Sequence, residues 1–150
     1  MSEAVFERRM PTRRPAHLWV VGILSLLWNS FGAFDYLATQ MQLDFYVGQF
    51  TEQQRAYFEG FPPWFVAAWA FGVWGAFAGS IGLLLARRWA VWAFAVSLAG
   101  LAVNTLYSFV LSDGAEVMGT AGVGMTALIW VVAIALLAYS VRQKSRRVLR

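Results

Sequence analysis

Three polar side chains stand inside long apolar stretches of this 150-residue chain: Asn29, Asp35 and Asn104. An amide or carboxyl in such surroundings is costly and faces a protein interior or a wet cavity. Two chemistries fit. In the first, Asn29 and Asn104 hydrogen-bond a ligand and Asp35 carries a proton or holds a cation. Tyr107 and Trp28 then complete a candidate ligand-binding pocket. In the second, the two amides bond each other across a helix pair, an interaction worth ~1 kcal/mol, and Asp35 reaches toward the interface. No Ser/His, Cys/His, paired-carboxylate or metal-ligand grouping accompanies them. Ser112 and Asp113 are adjacent, and adjacency is not a dyad. There is no cysteine and a single histidine, His17, which excludes zinc-thiolate sites, iron–sulfur clusters and a bis-histidine haem within one chain. The expectation is a protein that is not an enzyme, with no catalytic residue, cofactor or metal, and His17 as an interfacial side chain.

The elements that must position these residues follow from composition. Apolar types make up 59% of the chain and charged types 13%, against ~45–50% and ~25% in soluble domains. A soluble chain of this length could not hide so much apolar surface. The apolar residues fall in four runs, 18–38, 64–86, 89–111 and 119–141, of 21 to 23 residues each. Each meets the ~20 residues a helix needs to cross ~30 Å of hydrocarbon. In lipid each must be helical, because an unpaired backbone group finds no partner there. The longest stretch outside the runs, 39–63, is too short to fold unaided. The fold class expected is all-α: a single polytopic membrane domain with four transmembrane helices.

Charge orients the spans. Arg8, Arg9, Arg13 and Arg14 precede the first, Arg87 and Arg88 join the second to the third, and Arg142, Lys144, Arg146, Arg147 and Arg150 follow the fourth. Only Arg55 falls on the other side. The positive-inside rule puts the eleven in the cytoplasm with both termini: residues 1–17 as one tail, 142–150 as a second, basic one. The localisation expected is a bacterial inner membrane, crossed several times. The pI near 10 then reflects topology and attraction to anionic lipid headgroups, and nucleic acid is not an expected partner. The first run is too long for a signal h-region and is interrupted by Asn29 and Asp35, so it reads as an uncleaved span. Residues before Pro15 read as disordered, and Met10 offers a second start.

The outer segment carries one legible element. Thr51-Glu52-Gln53-Gln54 fits a capping box, so a short interfacial helix is expected to run to Glu59, stopped by Gly60 and Pro62-Pro63. Projection at 100° per residue puts Ser25, Trp28, Asn29, Gly32, Asp35 and Tyr36 on one face of the first span. On the second span the shared face is Ala68, Gly72, Gly75, Gly79, Gly82 and Ala86, and on the third it includes Ser97, Gly100, Asn104 and Tyr107. Gly75-Ala-Phe-Ala-Gly79 is a GxxxG motif, expected to serve packing within the chain, with a homo-oligomer seam as the alternative. Trp19, Trp64, Trp69, Trp89 and Trp92 fit an interfacial belt, whereas Trp28, Trp74 and Trp130 fall near mid-depth.

The strings WNSFGAFDYLATQ, FPPWFVAAWAFGVWG and RRWAVWAFAVSLAG resemble those of a small family of bacterial four-helix inner-membrane proteins, some labelled sugar transporters. The resemblance spans roughly residues 15–142, by pattern and without a catalytic motif. It implies transport and assigns no residue. Two functions stand after it: a helix-bundle accessory or scaffold, and a small-solute transporter acting as an oligomer. No span contains proline and the two halves show no similarity, features that weigh against a transporter with broken helices and inverted repeats.

Overall fold

The computed structural model describes residues 14–150. The arginines and Met10 assigned to the first 13 positions lie outside them. All regular structure among the described residues is helical: α1 (Ala16–Gln40), α2 (Asp44–Val47), α3 (Glu52–Glu59), α4 (Pro63–Leu84), α5 (Trp89–Leu106) and α6 (Gly114–Ser145). The helix of α5 continues as a π-helical turn, Tyr107–Leu111. Four helices, α1, α4, α5 with its π turn, and α6, are long and apolar enough to cross a membrane. The chain is a multi-pass, all-α membrane protein.

Small residues set the order of packing. The most extensive seam joins α4 to α5, and α1 packs on the other side of α4, while α6 packs on α5. A methyl added at Gly75 would lie 2.9 Å from the Ala93 carbonyl oxygen and 3.0 Å from the Ser97 nitrogen. At Gly100 it would meet Gly72 N at 2.5 Å and Ala68 O at 2.6 Å. The backbones touch, as small-xxx-small packing allows, and Ser97 Oγ donates across the seam to Gly72 O at 2.6 Å. The GxxxG face of α4 is therefore used within the chain, as its spacing suggested.

The aliphatic core sits at the end of the bundle that carries the basic residues. Leu18, Leu83, Ala86, Ala90, Phe94, Leu136 and Leu149 form it. Here α1 and α6 meet: His17 Nδ1 and Tyr139 Oη are hydrogen-bonded at 2.7 Å. His17 is exposed at this edge.

Three helices end in a left-handed residue that is not glycine. Gln42, Ala86 and Arg147 have φ of 51°, 54° and 58°. Each is followed by a backbone bond reaching back to the last turn: Leu43 N to Ala38 O, Arg87 N to Gly82 O, and Val148 N to Gln143 O. This is the Schellman pattern. The third cap lies within the basic segment 142–150. The helix runs on to Ser145, then the chain reverses and Leu149 is fully buried. Apolar burial of the leucine side chain, of order 2 kcal/mol, offsets the strain at Arg147.

At the other end, the stretch 112–118 between the third and fourth apolar runs is mostly helical. Gly114 to Met118 form a first turn, and Gly119, at φ 65° and ψ −171°, breaks it from the rest of α6. The break falls at the first residue of the apolar run 119–141. The four-residue α2 was not foreseen.

Candidate functional site

The capped helix α3 is present. Thr51 Oγ1 accepts from Gln54 N, and Thr51 N donates to Gln54 Oε1, both at 3.1 Å. Its far side is fixed by Tyr57, whose hydroxyl bonds Ser112 Oγ at 2.9 Å, and Ser112 in turn donates to Tyr107 O. Ser112 thus closes the π turn against α3. Arg55 is tied to the Val47 carbonyl at 3.2 Å, which joins α3 to α2.

Between these helices the aromatic residues form a continuous lattice. Phe61 lies 4.3 Å from Phe65, and Phe65 lies 4.4 Å from Tyr107, ring centre to ring centre. Tyr57 and Phe58 stand edge-on to Phe61. The lattice continues through Phe50 and Tyr46 to Phe34, and through Trp69 to Tyr36. Edge-to-face pairs of this kind add ~0.5–1.5 kcal/mol each beyond their area. Trp69 belongs to this lattice, flanked by Tyr36 and Phe61 at 5.0 and 6.2 Å.

The five candidate pocket residues are distributed along the bundle. Asn29 donates to Ser80 Oγ at 2.9 Å and to Ala76 O at 3.3 Å, both on α4. Asn104 donates to Gly100 O, one turn back on its own helix. The amide pair expected between Asn29 and Asn104 does not form, because α1 packs on α4 and α4 stands between it and α5. Asp35 accepts a hydrogen bond from the Tyr46 hydroxyl. Tyr107 stacks among Phe61, Trp64 and Phe65, and Trp28 is half-buried. Of the other mid-depth tryptophans, Trp130 donates to Thr105 Oγ1 at 2.8 Å and Trp74 packs edge-on to Tyr36.

Burial pushes the Tyr46 phenol above the ordinary tyrosine range, and its bond to the Asp35 carboxylate pushes the same way. At neutral pH it is a donor that satisfies the carboxylate.

The concave surface at this end is an open hollow of about 400 Å³, lined by Thr39, Gln40, Gln42, Phe58, Glu59, Phe61 and Val66. It offers two amides, a hydroxyl and a carboxylate above aromatic rings. A second hollow, about 360 Å³ and almost wholly apolar, opens between α4 and α5 at Ala68, Phe71, Val96 and Gly100. None of the five candidate residues lines either one.

No family model, curated protein or solved structure matches the chain.

The geometry alone therefore carries the functional reading. Sequence reasoning missed Ser80, Tyr46 and Tyr57, the partners that satisfy Asn29, Asp35 and Ser112. Ser80 left a signal, since it follows the glycine face of α4 directly after Gly79. Tyr46 and Tyr57 left none, because their partners lie across turns whose direction no local pattern specifies.

Proposed function

We propose that this chain is a non-catalytic accessory or scaffold of a bacterial inner membrane, with both termini in the cytoplasm and the α2–α3 segment outside. The observation that carries the reading is how the intramembrane polar groups are used. Asn29 joins α1 to α4, Ser97 joins α5 to α4, and Asp35 joins α1 to α2. Polar side chains spent one by one on neighbouring elements hold helices in register; those of a solute path converge on shared space. The charge asymmetry supports the orientation.

A second reading, the small-solute transporter implied by the family resemblance, has one observation in its favour: the polar hollow over Phe58 and Phe61. Two measurements separate the readings. Purified protein in liposomes is assayed for uptake of small solutes, with Asp35→Asn and Glu59→Gln beside the parent; a scaffold gives no uptake above empty vesicles. Robust uptake that either substitution abolishes would replace the scaffold with the transporter. Orientation is read by single-cysteine labelling, since the parent has no cysteine. Gln53→Cys is expected to react with an impermeant reagent in intact cells and Ser145→Cys is not.

A further inference from the structure

We propose that the hollow at the acidic end of the bundle is a binding site for a soluble organic ammonium ion, a ligand that carries its charge on a hydrocarbon body. The hollow, about 400 Å³, lies where the ends of α1 and α3 meet the start of α4. That volume falls within the range of small-molecule sites. Rings close its floor: Phe61 packs on Phe65 at 4.3 Å, and Phe65 is 2% exposed. A ligand seated here rests above the bundle, so binding is independent of whether the chain transports anything and goes beyond the scaffold reading.

The lining decides the class of ligand. Thr39, Gln40, Gln42 and Glu59 supply its polar atoms, Phe58 and Phe61 its rings, and among the described residues no cationic side chain lines it. Thr39 is 3% exposed, yet its hydroxyl makes no hydrogen bond among the described residues. Thr105 and Thr126, by contrast, each bond the carbonyl four residues back. A buried hydroxyl left unpaired at the wall of a hollow calls for a partner from inside that hollow. Gln42 spends its Nε2 on Thr39 O at 3.0 Å, which leaves its Oε1 as an acceptor. Glu59 is exposed and has no ion pair among the described residues. Arg55, one turn earlier on α3, is held by Val47 O at 3.2 Å. The free polar atoms are thus mainly acceptors, one group carries a full negative charge, and N–H donors on a cation complement both.

The rings suit the same guest. Phe58 and Phe61 stand at 88° with centres 5.5 Å apart. Ring faces attract a cation within ~6 Å and offer apolar surface to its hydrocarbon part. The backbone field has the same sign. Helices α1 and α3 both finish here, and their carbonyl ends carry partial negative charge. Helix α4 starts here at Pro62 and Pro63, which have no N–H to offer an anion. Charge at longer range agrees. All six acidic residues among the described ones, Asp35, Asp44, Glu52, Glu59, Asp113 and Glu116, belong to this end, against Arg55 alone. Such a field draws cations in and turns phosphate away, which favours a soluble amine over the zwitterionic headgroup of a lipid.

The test titrates the purified full-length chain, in phosphatidylglycerol nanodiscs, with phenethylammonium and with its neutral counterpart phenethyl alcohol; empty nanodiscs give the background. The amine is expected to bind about tenfold more tightly than the alcohol. Glu59→Gln removes the charge without breaking an ion pair, and is expected to weaken the amine about fivefold and leave the alcohol unaffected. Phe58→Leu keeps apolar bulk without a ring face and is expected to weaken the amine about twofold. Glu52→Gln removes a charge from the same helix outside the hollow, and is expected to leave binding unchanged. Equal affinity for amine and alcohol would overturn the site, as would a Glu59→Gln protein that binds like the parent. A Glu52→Gln protein that loses as much as Glu59→Gln would reduce the effect to diffuse charge and overturn it too. Competition by glucose as effective as by the unlabelled amine would assign the hollow to a neutral polyol instead. Loss of the titration when phosphatidylethanolamine is added to the nanodisc would make the lipid the source of the ammonium and overturn the soluble ligand.

Discussion

Gly100 is where the α4–α5 seam is tightest, and a single methyl there tests the packing directly. The Cβ of Gly100→Ala would stand 2.5 Å from Gly72 N, 2.6 Å from Ala68 O and 2.8 Å from Gly72 Cα. All three are backbone atoms, so no rotamer change relieves the overlap. Reaching an ordinary 3.4 Å contact requires the helices to part by about 0.9 Å. A gap of that size forfeits roughly a quarter to a half of each dispersion contact along the seam, and overpacking of this kind costs ~1–3 kcal/mol. Alanine offsets part of this, because it is better than glycine in a helix by ~1 kcal/mol. The net expectation is a loss of up to ~2 kcal/mol.

The control is the same substitution at Gly32, on α1, where an added methyl meets nothing within 4 Å. There only the propensity term operates, and Gly32→Ala should gain up to ~1 kcal/mol. Chemically identical changes thus shift stability in opposite directions. At ~2–4 °C per kcal/mol for a chain of this size, detergent melting temperatures should differ by up to roughly 12 °C between the two variants, Gly32→Ala the higher. Gly100→Ala melting at or above the parent, with Gly32→Ala no better, would refute the seam.

Thr51→Ala removes the cap of α3 and should cost about 1 kcal/mol locally; hydrogen exchange across Glu52–Glu59 should quicken while global melting barely moves. Asn29→Leu and Asn104→Leu should be additive, since the amides have different partners, whereas Asn29→Leu and Ser80→Ala should couple by about 0.6 kcal/mol in a double-mutant cycle on thermal stability. The Tyr46 phenol is raised above its unfolded value, so its contribution is fully present below the ordinary tyrosine range near ~10 and falls as pH rises past it. Melting temperature should therefore drop above that pH in the parent, and the drop should shrink in Tyr46→Phe.

What was legible in the sequence was what lipid or a local hydrogen bond dictates. Hydrocarbon demands about twenty apolar residues, and each of the four apolar runs lies on a helix long and apolar enough to cross it. The Thr51 capping box is a contact three residues long and formed as read. The glycine spacing on α4 announced a close neighbour, because only a second backbone can use such a face. The partners of the polar groups were not legible. Projection put Asn29 and Asn104 on interior faces, but a face does not say which helix lies opposite or at what height. The non-glycine caps at Gln42, Ala86 and Arg147 escaped for another reason. A left-handed alanine or arginine costs ~1–2 kcal/mol and is held by burial elsewhere: Leu149 for Arg147, and Ala86 by its own place in the aliphatic core. No local rule contains that compensation.

The consequences for assembly follow from where the glycines are spent. Gly72, Gly75, Gly79 and Gly82 all face α5 at distances that leave no room for a further helix. A homo-oligomer of this chain cannot use the GxxxG face without dismantling its own core. The least buried span is α6: Val123, Met125, Leu128, Val131 and Ile134 are exposed along it, and His17 of α1 bonds its Tyr139. Its glycines Gly122 and Gly124 are not taken up by another helix: a methyl at Gly124 meets nothing within 4 Å and one at Gly122 meets only Met118 of the preceding turn. The face of α6 is thus the largest apolar surface that the other spans leave uncovered. The aromatic rings at one end and the apolar core at the basic end hold the other three spans in place beside it.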